Sequence, residues 1–173
     1  MADFAKAYKH TARWEGGWVK DGADRGAETY AGISRRWHPD WEGWHIVDKY
    51  KNKKHGQVVD SAVLRVMVRR FYYSQYWSKM WGDDITSQAV AGFIFDWFVN
   101  SGVYAIQATQ RAAGAKDDGI VGKLTVKAIN GKEPKALLAK LKAARLSFVE
   151  RIAESDPSQA RFLKGWRNRI NSF

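Results

Sequence analysis

Apolar positions recur at helical spacing along most of this chain. Phe4, Ala7, Tyr8 and Ala12 form one stripe, which predicts an amphipathic helix over residues 4 to 14. Asp60 and Ser61 offer an N-cap, and Leu64, Met67, Val68, Phe71 and Gln75 then predict a helix to about Trp77. Arg65 and Arg69 fall on another face of it, with Arg70 flanking them. Thr86 or Ser87 caps the next segment, in which Val90, Phe93, Ile94, Trp97 and Phe98 leave almost no polar side. A helix apolar all round is a buried one, so this is the expected central helix, ending at Asn100-Ser101-Gly102. A short helix is predicted over residues 103 to 113. Pro134 suits the first turn of a long helix carrying Leu137, Leu141, Ala144, Phe148 and Ile152. Asp156-Pro157 breaks the pattern before a last helix with Phe162, Trp166 and Ile170.

The stretches between these helices read differently. Residues 16 to 33 carry the glycines, Thr and Tyr of a short β-hairpin. Residues 34 to 57 are irregular and contain Trp37-His38-Pro39-Asp40-Trp41-Glu42-Gly43-Trp44. Eight of the nine tryptophans precede residue 100. Trp97, inside the buried helix, is read as core. For Trp37, Trp41 and Trp44 two readings stay open, stacking on a sugar ring and capping the core under a long loop. The fold class expected is all-α, predominantly helical, with one small hairpin.

Composition narrows the class of protein. A chain of 173 residues with 45% hydrophobic and 14% aromatic residues can bury one substantial core or two small packed lobes. No apolar run reaches membrane-spanning length, since the longest, around Val90 to Val99, is interrupted by Asp96. The opening Met-Ala-Asp-Phe shows no apolar signal core, so Sec-type export is not expected. The absence of cysteine excludes disulfides and a thiolate nucleophile or ligand. His10, His38, His45 and His55 lack ligand-like spacing with acids, so neither a metal nor any other cofactor is expected.

Charge changes the picture of partners. The net charge is +11, and after residue 130 ten Lys/Arg against four Asp/Glu leave +6. Such a balance calls for a polyanion. No zinc-ligand spacing, RNA-binding aromatic motif or basic region leading into heptads points to specific nucleic acid. Anionic cell-wall polymers satisfy the charge equally.

The candidate chemistry lies in Trp14-Glu15-Gly16-Gly17-Trp18. Gly16 and Gly17 predict a helix end, which places Glu15 in the last turn, at the negative end of the helix dipole. Two indoles beside it would strip away water. Both effects raise a carboxyl pKa, as a general acid near neutral pH requires. Asp24, nine residues on in the turn-rich Asp24-Arg25-Gly26, is expected to stay solvated and ionised. Two acids in contrasting environments outline a glycoside hydrolase. Read singly, a Glu before two glycines is an ordinary helix end and Asp-Arg-Gly an ordinary turn.

The whole string changes those odds. E-G-G-W-x2-D-x2-D-x-G-x2-T-x2-G-I, residues 15 to 33, resembles the opening motif of the phage-type muramidases of glycoside hydrolase family 108. It also resembles the E-x8-D-x5-T signature of phage lysozymes. Here the spacing is E-x8-D-x4-T, so Thr29 and Tyr30 are both open for the third position. Downstream, Ile106 to Gln110 followed by Asp118-Gly119-Ile120-Val121-Gly122-x2-Thr125 looks like the peptidoglycan-binding repeat attached to many wall hydrolases. The same residues also suit a plain helix-turn-helix, with Thr125 capping the following helix. Asp96-x3-Asn100-Ser101-Gly102 and Gly165-Trp166-Arg167-x-Arg169 look like further family positions.

The resemblance implies a lysozyme-like fold whose hairpin borders a cleft. It implies a muramidase region over residues 1 to 88 and a peptidoglycan-binding helical region over 89 to 173, packed as one compact unit. The activity implied is cleavage between N-acetylmuramic acid and N-acetylglucosamine, as in phage or prophage endolysins that lyse the cell wall. Glu15, Asp24 and Thr29 are the expected catalytic residues, with Asp21 and Glu28 in reserve for Asp24. Tyr30, Trp18, Trp41 and Asn100 are the expected substrate-binding ones. Peptidoglycan is the expected partner and a monomer the expected state. The protein would stay cytoplasmic until a holin or a non-classical route releases it. A second reading is a catalytically silent wall-binding or secretion-associated protein on the same scaffold.

Overall fold

Gly32 and Ala31 both sit at positive φ, 76° and 47°, and form the two-residue turn of a tight hairpin. The computed structural model to which they belong describes residues 1–20, 28–50 and 53–173. The hairpin joins β2 (Glu28–Tyr30) to β3 (Ile33–Ser34), and β1 (Trp18–Lys20) pairs with the other side of β2. The expected hairpin is therefore a three-stranded antiparallel sheet. Its register sets Trp18 opposite Tyr30 and Val19 opposite Thr29. Because side chains alternate along a strand, Glu28 and Tyr30 share one face and Thr29 takes the other.

The predominantly helical class is the one found, with α1 (Phe4–Thr11), α2 (Trp44–Val47), α3 (Ala62–Tyr72), α4 (Gln88–Ser101), α5 (Val103–Ala113), α6 (Lys123–Asn130), α7 (Pro134–Ser155) and α8 (Leu163–Asn171). Among the described residues no helix is long and apolar enough to cross a membrane.

The chain divides into two units, Tyr8–Gln75 and Met1–Ala7 with Tyr76–Phe173. In the first unit the Ser61 hydroxyl accepts from the Leu64 N–H at 3.2 Å and caps α3, as expected. Leu64, Val68, Phe71 and Tyr72 turn inward from α3 to meet Tyr30, Ile33, Trp44, Val47 and Val59 in a small aromatic-rich core. The helix does not run unbroken to Trp77 but loosens into a π turn over Tyr73–Trp77.

In the second unit α4 is the buried helix that its composition predicts. Ser87 caps it, and every residue from Val90 to Trp97 is buried. It packs on α5 and α7, and α7 packs on α8. Glu133, unnoticed in the sequence, caps α7 through both oxygens, on the Lys135 and Ala136 N–H groups. Phe162 does not belong to α8; it ends a 3-10 turn and is exposed, while Ile170 is buried.

One buried cluster holds the second unit's helices in register. Asp96, completely buried on α4, receives Arg145 of α7 at 2.8 Å and Arg169 of α8 at 2.7 Å. Burial pushes the Asp96 carboxyl up. The hydrogen bond from Arg169 and the charges of both arginines outweigh it and hold the group below its ordinary range.

Candidate active site

α1 ends at Thr11, four residues before Glu15, so the expected placement in a last helical turn does not hold. The chain leaves the helix through short turns, with Trp14 N–H bonded to Thr11 O at 3.0 Å and Glu15 N–H to Ala12 O at 3.3 Å. The dipole argument therefore lapses, because its effect fades within one turn of the helix end. Nor does the Trp18 indole serve Glu15. Its Nε1–H donates to Glu28 Oε1 at 2.5 Å, and Lys53 Nζ lies 5.3 Å from its ring centre. Trp14 is 44% exposed.

What Glu15 meets instead is the hairpin turn. Its side chain is half-buried, and a Cβ built on Gly32 would overlap both the Glu15 carboxylate and the Tyr72 hydroxyl. Tyr72 OH donates to Ala31 O at 2.8 Å, and Ala31 N–H donates to Gly17 O at 3.2 Å, so the turn is held from two sides. Tyr8 stacks at a tilt on Tyr72 with ring centres 5.4 Å apart. Burial raises the Tyr8 phenol above its ordinary value; Arg69 opposes this and the Glu15 charge adds to it. Glu15 thus lies against a glycine turn and the Tyr72 hydroxyl, with Tyr8 close enough to feel its charge. Tyr8, Tyr72 and Arg69 were not singled out as site residues in the sequence. Tyr8 reads there as part of an apolar stripe, and Arg69 as lying on another face of its helix than the apolar one.

Asp24, the expected partner acid, and Asp21, its first reserve, lie outside the described residues. Glu28, the other reserve, is fully occupied. One oxygen accepts from Trp18, the other pairs with Arg35 Nε at 2.8 Å, and Arg35 also holds Asp48. Thr29 is half-buried on the opposite face of β2.

The remaining expected residues separate. Tyr30 is 3% exposed, and its hydroxyl accepts from the Val59 N–H at 3.1 Å. Its ring stacks 6.4 Å from that of Trp41. Trp44 is buried, its Nε1–H bonded to His38 O at 2.8 Å, which makes it a core residue. Trp41 is half-buried, and Trp37 is 71% exposed beneath the Arg36 guanidinium. Trp37 and Trp41, with Glu42, Arg70, Phe71 and Gln75, line a groove of about 690 Å³ that Glu15 does not line. Asn100 belongs to the other unit, where its amide donates to Asp96 O at 2.6 Å near the end of α4. Among the described residues no cluster of His, Asp and Glu could hold a metal.

The second recognisable stretch is built around a residue the sequence gives no prominence. Gln110 is completely buried on α5. Its Nε2 donates to Asp118 Oδ1 and Ile120 O, both at 3.0 Å, and its Oε1 accepts from the Gly119 N–H at 2.9 Å. Thr125 does not cap α6, which starts at Lys123 after Gly122. It is buried, and its hydroxyl accepts from Gln110 at 3.3 Å. The D-G-I-V-G-x2-T residues named here are a clamp on Gln110, and their work is to hold the α5–α6 turn.

Residues 8–102 match the family glycosyl hydrolase 108, and residues 104–171 match the family described as predicted peptidoglycan domain. A search of curated proteins gives no match. Among solved structures, Brucella abortus SagA is similar with a TM-score of 0.65 and 25% identity, over 98% of this chain and 94% of that one. Glu15, the hairpin and α3 lie inside the first match, which spans more than half of the sequence, and the Gln110 clamp lies inside the second. The chain therefore belongs to the glycosyl hydrolase 108 family.

Proposed function

We propose that this protein cleaves the peptidoglycan glycan between N-acetylmuramic acid and N-acetylglucosamine, with Glu15 as the general acid that protonates the leaving oxygen. The observation that carries the reading is the setting of Glu15 in a chain of this family: a half-buried carboxylate set against a glycine turn and the Tyr72 hydroxyl. Asp24 is the proposed second carboxylate. Both oxygens of Glu28 are engaged, which makes it the weaker reserve. Thr29 takes the third position in preference to Tyr30, whose hydroxyl is committed to Val59. Tyr30 then acts by backing Trp41, and Trp41 supplies a face for a sugar ring.

The C-terminal region, rich in positive charge, holds the protein on the wall. The role is that of a phage or prophage lysis enzyme acting as a monomer and reaching the wall by holin release or a non-classical route.

The test is Glu15→Gln, which keeps the side chain's shape and removes its proton. Clearing of purified peptidoglycan should fall by about two to four orders of magnitude, the usual worth of general acid catalysis, with the thermal melt unchanged. A Gln variant as fast as its parent removes Glu15 from the role. A folded parent that binds walls and never clears them supports the silent wall-binding reading instead.

A further inference from the structure

A second groove, of about 420 Å³, runs between α5 and α7. Ala108, Ala112 and Ala144 form its floor, and Arg111, Lys140 and Arg151 stand over it. The spacing is helical on both sides: Tyr104, Ala108 and Arg111 share one face of α5, and Lys140, Ala144, Ser147 and Arg151 share one face of α7.

The charges in this groove are unbalanced. Arg111 is paired with Asp117 at 2.8 Å. Among the described residues neither Lys140 nor Arg151 has a carboxylate partner. Arg151 is nevertheless held in place, its guanidinium donating to Ser147 Oγ at 3.0 Å and to Tyr104 OH at 2.8 Å. Tyr104 is itself pinned by stacking on Phe148, with ring centres 4.2 Å apart. Both of Arg151's acceptors are neutral hydroxyls, so its charge is oriented and not neutralised. A planar guanidinium in that condition suits a carboxylate, which it can receive through two parallel bonds.

The separation of the two cations describes the ligand further. Lys140 and Arg151 are eleven residues apart on one helix, or about 16 Å along its axis. A single small anion cannot meet both. An extended peptide covers that distance in about five residues, the length of a peptidoglycan stem, which carries carboxylates along it and at its end. The alanine floor leaves room for a backbone to lie close.

We infer that the α5–α7 groove binds the peptide stem of peptidoglycan, with Arg151 and Lys140 each receiving a carboxylate. The inference rests on the proposed wall substrate and adds to it a peptide-reading site built by the C-terminal region.

The test uses the full chain and a soluble disaccharide–pentapeptide fragment, with dissociation constants measured by calorimetry. Lys140→Ala and Arg151→Ala should each weaken binding about tenfold, the equivalent of about 1.4 kcal/mol. Lys164→Ala, which removes a like charge elsewhere, should leave it unchanged. The same fragment with its carboxyls amidated should bind the parent as weakly as the intact fragment binds the double variant. Inorganic phosphate should not compete at equal concentration. Arg151→Lys, which keeps the charge and loses the fork, should recover part of the affinity.

Equal affinity of parent and variants overturns the inference, as does equal affinity for intact and amidated fragments. Effective competition by phosphate replaces it with a general anion site. Cleavage of peptide-free glycan is measured separately. A parent that binds the fragment and spares the glycan contradicts the hydrolase reading alone. One that cleaves the glycan and ignores the amidation contradicts the groove alone.

Discussion

Gly32 and Glu15 are in contact across the hairpin turn, so closely that the Cβ of any other residue at position 32 would occupy the space of the Glu15 carboxylate. The glycine is required twice over. Its φ of 76° is one that side chains rarely adopt, and its missing side chain is where the acid lies.

Gly32→Ala should therefore act on both stability and rate. The left-handed conformation alone costs an alanine about 1–2 kcal/mol. Displacing the carboxylate by about 1 Å should lower wall clearing by about 10²-fold. Gly119→Ala is the comparison, since Gly119 also sits at positive φ, 77°, but packs on Val103 and Gln107. It should lose similar stability and keep turnover of a soluble glycan. A Gly32→Ala enzyme of normal rate would detach the turn from the chemistry.

Two carboxylate variants separate scaffold from reaction. Glu28→Gln keeps an oxygen for the Trp18 N–H but removes the charge paired with Arg35, and should cost about 1 kcal/mol in a denaturant melt, with the rate per folded molecule nearly intact. Asp24→Asn should do the reverse. If instead the Asn variant keeps full activity, a folded but inactive Glu28→Gln makes Glu28 the second acid, and a Glu28→Gln of normal rate leaves the role to Asp21. Analysis of the product anomer then assigns retention or inversion directly.

Asp96→Asn leaves Arg145 and Arg169 buried without their counter-charge and should destabilise the fold by about 3–5 kcal/mol. The pH dependence has a definite sign. The carboxyl's folded value lies below its unfolded value of about 3.9, so its contribution is complete above that pH. It is lost as pH falls through the folded value. Melts between pH 7 and pH 2 should show a steep acid loss in the parent that is shallower in the variant. Parallel curves for the two proteins would exclude Asp96 as the source of that acid loss.

Gln110→Leu removes the hub of the α5–α6 turn and leaves the Gly119 N–H without its acceptor. A cost of about 2 kcal/mol is expected from the unsatisfied donor and the lost turn. Hydrogen exchange should speed up locally at residues 115 to 125 before global unfolding. Uniform protection across that stretch in the variant would show that the clamp is dispensable.

Much of the helical framework was legible in the sequence because it is local physics. Ser61 and Ser87 cap where their hydroxyls predict, and α4 is buried because no polar face interrupts Val90 to Phe95. Asp96, the one charge on that helix, marked a special position without revealing its partners. Glu15 stood out through its motif, yet the helix end first offered for its setting is not where the fold puts it, since α1 stops at Thr11 and the chain turns before the acid.

What only the tertiary structure decided is how distant pieces meet. Tyr72 and Gly32 are forty residues apart in the chain, and no periodicity can say that both close on Glu15. Arg145 and Arg169 look like surface charges on amphipathic helices until Asp96 is found facing them. Lys142 shows the same from the other side. It lies off the apolar stripe, as a solvated lysine would, but its ammonium donates to Phe173 O at 2.5 Å. Local spacing determines which face of a helix a residue occupies; only packing determines what that face meets, because the partners arrive from parts of the chain whose order along the sequence carries no record of distance.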